Sequence, residues 1–134
     1  MASTITTDPV QASYTRCCRP AFFEEFYSTL MNSSPAVKAM FVKTDMEKQK
    51  KLLRDGLSFL LMFSRGSSVG RNKVEALAKT HTRTALNVKP EYYGLWVDSL
   101  LKTVAKFDPE FTPALNSQWR AALEAGIAVM KAAY

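Results

Sequence analysis

The chain holds one histidine, His81. A helical period around it puts Val74, Leu77, Ala78 and Ala85 on its face, so an imidazole is expected to project from an apolar stripe toward the interior. A histidine in that setting is most often a core residue whose ring is satisfied by a backbone carbonyl. The chemical alternative is a metal ligand, because neutral imidazole binds iron and zinc well. Zinc asks for several protein ligands. Here no second histidine exists, and the two cysteines, Cys17 and Cys18, are far away in sequence. A lone protein ligand does suit haem, where the porphyrin supplies the in-plane nitrogens. The cysteines themselves are adjacent, and neighbouring residues seldom meet disulfide geometry. No Cys-x-x-Cys-His stretch offers covalent haem attachment, and reduced thiols suit a cytoplasmic location.

Such a side chain has to be positioned by a core, and the chain is large enough to build one. It has 134 residues, 47% of them hydrophobic, a length that fits one domain spanning residues 1–134. Its 18 basic and 12 acidic residues give a net charge of +6. The basic residues cluster at Lys38, Lys43, Lys48, Lys50, Lys51 and Arg54. They lack the interleaved exposed aromatics or module signature of a nucleic-acid reader, so they read as a solvated helix face. The start of the chain has neither a positive segment nor an apolar run, so no signal peptide is expected. The densest apolar stretch, Phe59 to Phe63, is far too short to span a membrane.

Prolines at positions 9, 20, 35, 90, 109 and 113 punctuate segments whose apolar residues recur at three and four. That pattern predicts an all-α fold of about seven helices with short connections. The expected elements are a helix from about Asp8 to Cys17, a second from Pro20 to about Met31, and a brief turn from Pro35 to Phe41. The next helix opens with Thr44-Asp45-Met46-Glu47, which matches a capping box, and reaches about Ser64, where Arg65-Gly66-Ser67-Ser68 ends it. Further helices are expected from Asn72 to Leu86, from Pro90 to about Phe107, and from Thr112 or Pro113 onward, that pair supplying a cap and a first turn.

In their order and spacing, several short stretches resemble the bacterial single-domain globins and the globin modules of flavohaemoglobins. Phe26-Tyr27, Ser34-Pro35-Ala36-Val37 and Met40-Phe41 are similar to that family's second and third helices. Asp45-Met46-Glu47-Lys48-Gln49 with Leu52-Leu53 resembles its distal helix. Leu77-Ala78-Lys79-Thr80-His81 resembles its proximal helix, and Val88-Lys89-Pro90-Glu91-Tyr92-Tyr93 the start of the next. The resemblance covers nearly the whole chain. It implies a globin fold around a non-covalent haem b, with His81 as the proximal iron ligand, Phe41 packed on the haem plane, and Leu77 and Tyr93 also against the haem. Tyr27, Gln49 and Leu53 would form the distal pocket. Gln49 and Leu53 share a helix face one turn apart, and Gly56, nearly on that face, suggests close approach of another helix.

The implied pocket holds two donors, the Tyr27 hydroxyl and the Gln49 amide. One hydrogen bond to O2 in a dry pocket is worth about 1–2 kcal/mol. The chain departs from the flavohaemoglobin pattern in lacking the glutamate that pairs there with the proximal histidine and a tyrosine. Glu124 comes too early, although Tyr93 is retained. An acidic partner makes the histidine more electron-rich and favours oxygen activation, so its loss favours reversible binding of O2 or another diatomic gas such as NO or CO. Two alternatives stand beside that reading. One is an NO dioxygenase served by a separate reductase, and the other a haem-free helical interaction module.

Overall fold

The computed structural model describes residues 8–82, 84 and 86–134. The start of the chain and the expected position of Ala85 beside His81 therefore lie outside the described residues. Among the described residues there are seven helices: α1 (Pro9–Cys17), α2 (Pro20–Ser33), α3 (Pro35–Met40), α4 (Met46–Ser64), α5 (Ser68–Thr80), α6 (Tyr92–Phe107) and α7 (Pro113–Ala133). No described helix is long and apolar enough to cross a membrane.

The helix starts follow from local chemistry. Asp8 Oδ1 accepts from the amides of Val10 and Gln11 at 2.9 and 3.1 Å, with Pro9 in the first turn. Thr112 Oγ1 accepts from the Leu115 amide at 3.1 Å ahead of Pro113. Each cap satisfies amides that a helix start leaves unpaired. α4 is capped by Asp45, whose Oδ1 takes the Glu47 and Lys48 amides, and not by a box running from Thr44 to Glu47. A carboxylate next to the first turn carries full charge and so outcompetes the hydroxyl one residue earlier.

Four other boundaries differ from expectation. Pro35–Met40 is a short helix, held by Ser34 Oγ on the Val37 amide. α2 continues to Ser33, and α6 begins at Tyr92, two residues after Pro90. α5 starts at Ser68, capped by Ser67 Oγ on the Gly70 amide, and stops at Thr80, so the helix expected over Asn72–Leu86 is displaced toward the N-terminus.

Helix faces at three- and four-residue spacing build one core. Leu53, Leu57, Leu60 and Leu61 of α4 are buried, as are Leu115, Trp119, Leu123, Ile127 and Met130 of α7. α4 packs on α5 and α7, α5 on α7, and α2 on α6. The close approaches occur at Gly70 and Gly126. A Cβ on Gly70 would lie 2.5 Å from the Phe63 backbone nitrogen, and one on Gly126 would run into the Leu60 side chain. Gly56 was the glycine expected to admit a neighbour, yet a Cβ there would meet only Leu77, at 3.9 Å. It faces a cavity instead.

A buried polar knot ties α1 to the α6–α7 corner. Asp108, 2% exposed, accepts from Ser13 Oγ at 2.6 Å and from Arg16 at 2.7 and 2.9 Å. The Trp119 indole donates to Ser13 Oγ at 3.0 Å. The Arg16 hydrogen bonds, opposed by burial and helped by Ser13, pull the Asp108 carboxyl down to about 2.

Candidate haem cavity

All seven helices except α1 contribute to one cavity of about 1020 Å³, at the upper end of the range for small-molecule sites. Tyr27, Phe41, Gln49, Leu53, Leu77, His81 and Tyr93 all line it. The structure thus brings these seven residues, the ones the resemblance placed around the haem, to one cavity, although they come from five different segments of chain.

His81 is the C-cap of α5 and not a mid-helix residue. Its amide is shared between the carbonyls of Leu77 and Ala78 at 3.1 and 3.2 Å, the tightened geometry of a helix end. Its Nδ1 lies 2.7 Å from the Leu77 carbonyl oxygen and 2.9 Å from Thr80 Oγ1. A carbonyl can only accept, so Nδ1 carries the proton and Nε2 keeps its lone pair. Nε2 has no hydrogen-bond partner among the described residues. Burial pushes the ring's proton affinity below that of an ordinary histidine, with the Leu77 carbonyl acting the other way. The result is a neutral imidazole with one nitrogen tied to its own helix and the other free.

Tyr27, 4% exposed on α2, sits edge-on to Phe26 and Phe41 with ring centroids 5.0 and 5.5 Å away. Gln49 Nε2 donates to the Tyr27 hydroxyl oxygen at 3.1 Å, and the hydroxyl donates to the Gln49 backbone carbonyl over a long 3.4 Å. The two expected donors are therefore a relay. The amide orients the tyrosine oxygen, and the phenolic proton remains weakly engaged. Burial lifts the Tyr27 hydroxyl to about 12, so it stays protonated at neutral pH. Leu53 is buried beside the pair.

Tyr93 is buried, and its hydroxyl is the one buried side-chain polar atom without a partner among the described residues. Burial raises it to about 12. Glu124 is exposed on α7 and does not line the cavity. Among the described residues the cavity's sole carboxylate is Asp55, which faces Arg54 at 3.6 Å. Sequence reasoning missed Trp96, Val88, Ile127 and Met130, which also line the cavity. The spacing of Tyr92, Tyr93 and Trp96, and of Ile127 and Met130, carries the signal, but a core face and a cavity wall share that spacing.

Fold and cavity define an all-helical protein built around one large, mainly apolar cavity. The chain belongs to the globin family, whose model matches residues 24–130. It is similar over 95% of its length to a solved Pseudomonas aeruginosa PAO1 protein, at 44% identity, a TM-score of 0.91 and 96% coverage of that chain. That protein is described as structurally highly homologous to a human haemoglobin. No curated protein sequence matches the chain significantly. Globins generally hold haem between their helices, and the residues present fit it. The cavity is large and mainly apolar, offers one free imidazole nitrogen, and contains an unpartnered hydroxyl. No group of three or more histidine, cysteine or acidic side chains comes together among the described residues, so a metal held here through protein atoms would rest on His81.

Proposed function

We propose that the chain is a haem-binding globin that reversibly takes up O2 or a related diatomic gas, with haem b held non-covalently through His81 Nε2. The observation that carries the reading is the imidazole itself: Nδ1 is fixed by the Leu77 carbonyl, and Nε2 is free on a ring lining the same cavity as Tyr27 and Gln49. Haem, if bound here, would be held through His81 and would supply an iron able to take up a diatomic gas.

The protein's own residues do the rest. The Leu77 carbonyl and Thr80 hydroxyl set the rotation and tautomer of His81, as outer partners of metal-bound imidazoles do. Phe41, Leu53 and Leu77 exclude water and pack the ring system. Tyr27, oriented by Gln49, offers its proton to the gas. Among the described residues no carboxylate is hydrogen-bonded to His81, whose partners are the Leu77 carbonyl and the Thr80 hydroxyl, and that supports reversible binding over oxygen activation.

Titrating the purified chain with haem tests this. An intense Soret band at one haem per chain, with ferrous and CO-bound spectra typical of a histidine-ligated haem, is the expected result. Absence of the band after supplementation would leave the haem-free interaction module as the surviving account.

A further inference from the structure

Leu86, Asn87 and Val88 are hydrogen-bonded back to Thr80, Thr82 and His81. The Leu86 amide donates to the Thr80 carbonyl at 3.1 Å, the Asn87 amide to Thr82 at 2.8 Å, and the Val88 amide to His81 itself at 3.2 Å. The fold-back requires Asn87 to take a positive φ of 53°, a left-handed conformation that asparagine tolerates better than most residues. The Asn87 side chain is then held from outside the segment: the Tyr134 hydroxyl donates to its Oδ1 at 2.6 Å. Tyr134 follows α7 on the face that carries Ile127 and Met130, both cavity-lining. The distance of α7 from α4 is fixed about two turns before Tyr134, where Gly126 meets Leu60.

We infer that Tyr134 is a positioning residue for His81, acting through Asn87. α7 wedges the cavity wall with Ile127 and Met130. One turn on, its tyrosine clamps the turn whose backbone is bonded to the His81 carbonyl. The Leu77 hydrogen bond sets the rotation of the imidazole ring, and the clamp sets where the His81 backbone sits relative to the cavity. Release of the clamp frees the left-handed turn, so His81 is held from one side only, by the end of α5. The inference rests on His81 being the iron ligand.

The test uses the full chain reconstituted with haem, as wild type, Tyr134→Phe, Asn87→Gly and the double variant. Tyr134→Phe removes the donor and keeps the ring. Asn87→Gly removes the acceptor while glycine keeps the positive φ. In resonance Raman spectra of the ferrous, ligand-free protein, both single variants should lower or broaden the histidine–iron stretching band. Both should hasten haem transfer to a scavenger protein about 2- to 5-fold, as loss of one solvent-accessible hydrogen bond allows, and the double variant should do no more than either single one. Asn87→Asp, which keeps an acceptor, should behave as wild type. Amide exchange at Asn87 and Val88 in the haem-free chain should quicken with Tyr134→Phe. An unchanged band and transfer rate in Tyr134→Phe, or additive effects in the double variant, would overturn the clamp. A wild-type protein that shows no histidine–iron band overturns the assignment of His81 instead, and the exchange rates then report whether the clamp itself exists.

Discussion

The Tyr27 hydroxyl accepts from Gln49 and leaves its own proton on a long bond, an arrangement that costs little to redirect toward a bound gas. A gas that draws electron density, such as O2, gains from that donor, whereas CO draws little and gains less. Tyr27→Phe keeps the ring packing on Phe26 and Phe41 and deletes the proton. It should accelerate O2 release about 5- to 30-fold, corresponding to about 1–2 kcal/mol, and CO release by less. Compensation by the freed Gln49 amide would shrink the effect, and the double variant with Gln49→Leu exposes it. Stopped-flow displacement of each gas gives the rates. Equal acceleration of both gases would mean that the tyrosine acts by packing alone. The sequence resemblance indicated which residues to place around the cavity. It did not indicate that the two donors act in series, because that depends on a contact between side chains 22 positions apart.

Among the elements, α4 and α7 were readable because long amphipathic periods with caps over-determine them. α5 was not. The apolar period through Leu77, Ala78 and His81 has no natural stop, and Arg65-Gly66-Ser67-Ser68 reads as a break that pushes the expected start on to Asn72. The structure uses Gly70 inside the helix, for α5 to lie against the backbone of Met62 and Phe63. The helix ends where Thr80 Oγ1 turns back on the Leu77 carbonyl at 2.8 Å. The three glycines therefore respond differently to alanine. Gly70→Ala meets backbone that cannot yield and should destabilise the protein by about 1–3 kcal/mol. Gly126→Ala meets the end of a flexible leucine and should cost less. Gly56→Ala, which has only an ordinary contact to meet, should raise stability by about 0.5–1 kcal/mol through helix propensity. Urea unfolding of the three variants, haem-free, ranks them, and a Gly56→Ala chain less stable than Gly70→Ala would refute the packing described.

At the scale of the whole molecule, the knot of Ser13, Arg16, Asp108 and Trp119 joins the first helix to the corner before the last. Nothing in the sequence pattern announces it, since Asp108 beside Pro109 reads as a loop residue. The Asp108 carboxyl falls from 3.8 to about 2 on folding. A depressed carboxylate stabilises the fold above its unfolded value, and that stability is lost as pH falls through the folded one. It should therefore be fully present at neutral pH and vanish between about pH 4 and pH 2. Asp108→Asn should cost about 2 kcal/mol at pH 7 and flatten the acid limb of the stability curve, as measured by chemical denaturation across that window. An unchanged acid limb would remove Asp108 from the account of stability.

In the proposed function His81 is the iron ligand. Replacing it is the most direct test, because no second histidine exists to take its place. His81→Ala, supplied with haem under the same conditions as wild type, should either fail to retain it through gel filtration or give a ferrous spectrum without histidine ligation. The wild-type ferrous protein, dilute and tag-free, should be five-coordinate with one imidazole. A His81→Ala protein that keeps its haem with an unaltered histidine-ligated ferrous spectrum would contradict the assignment.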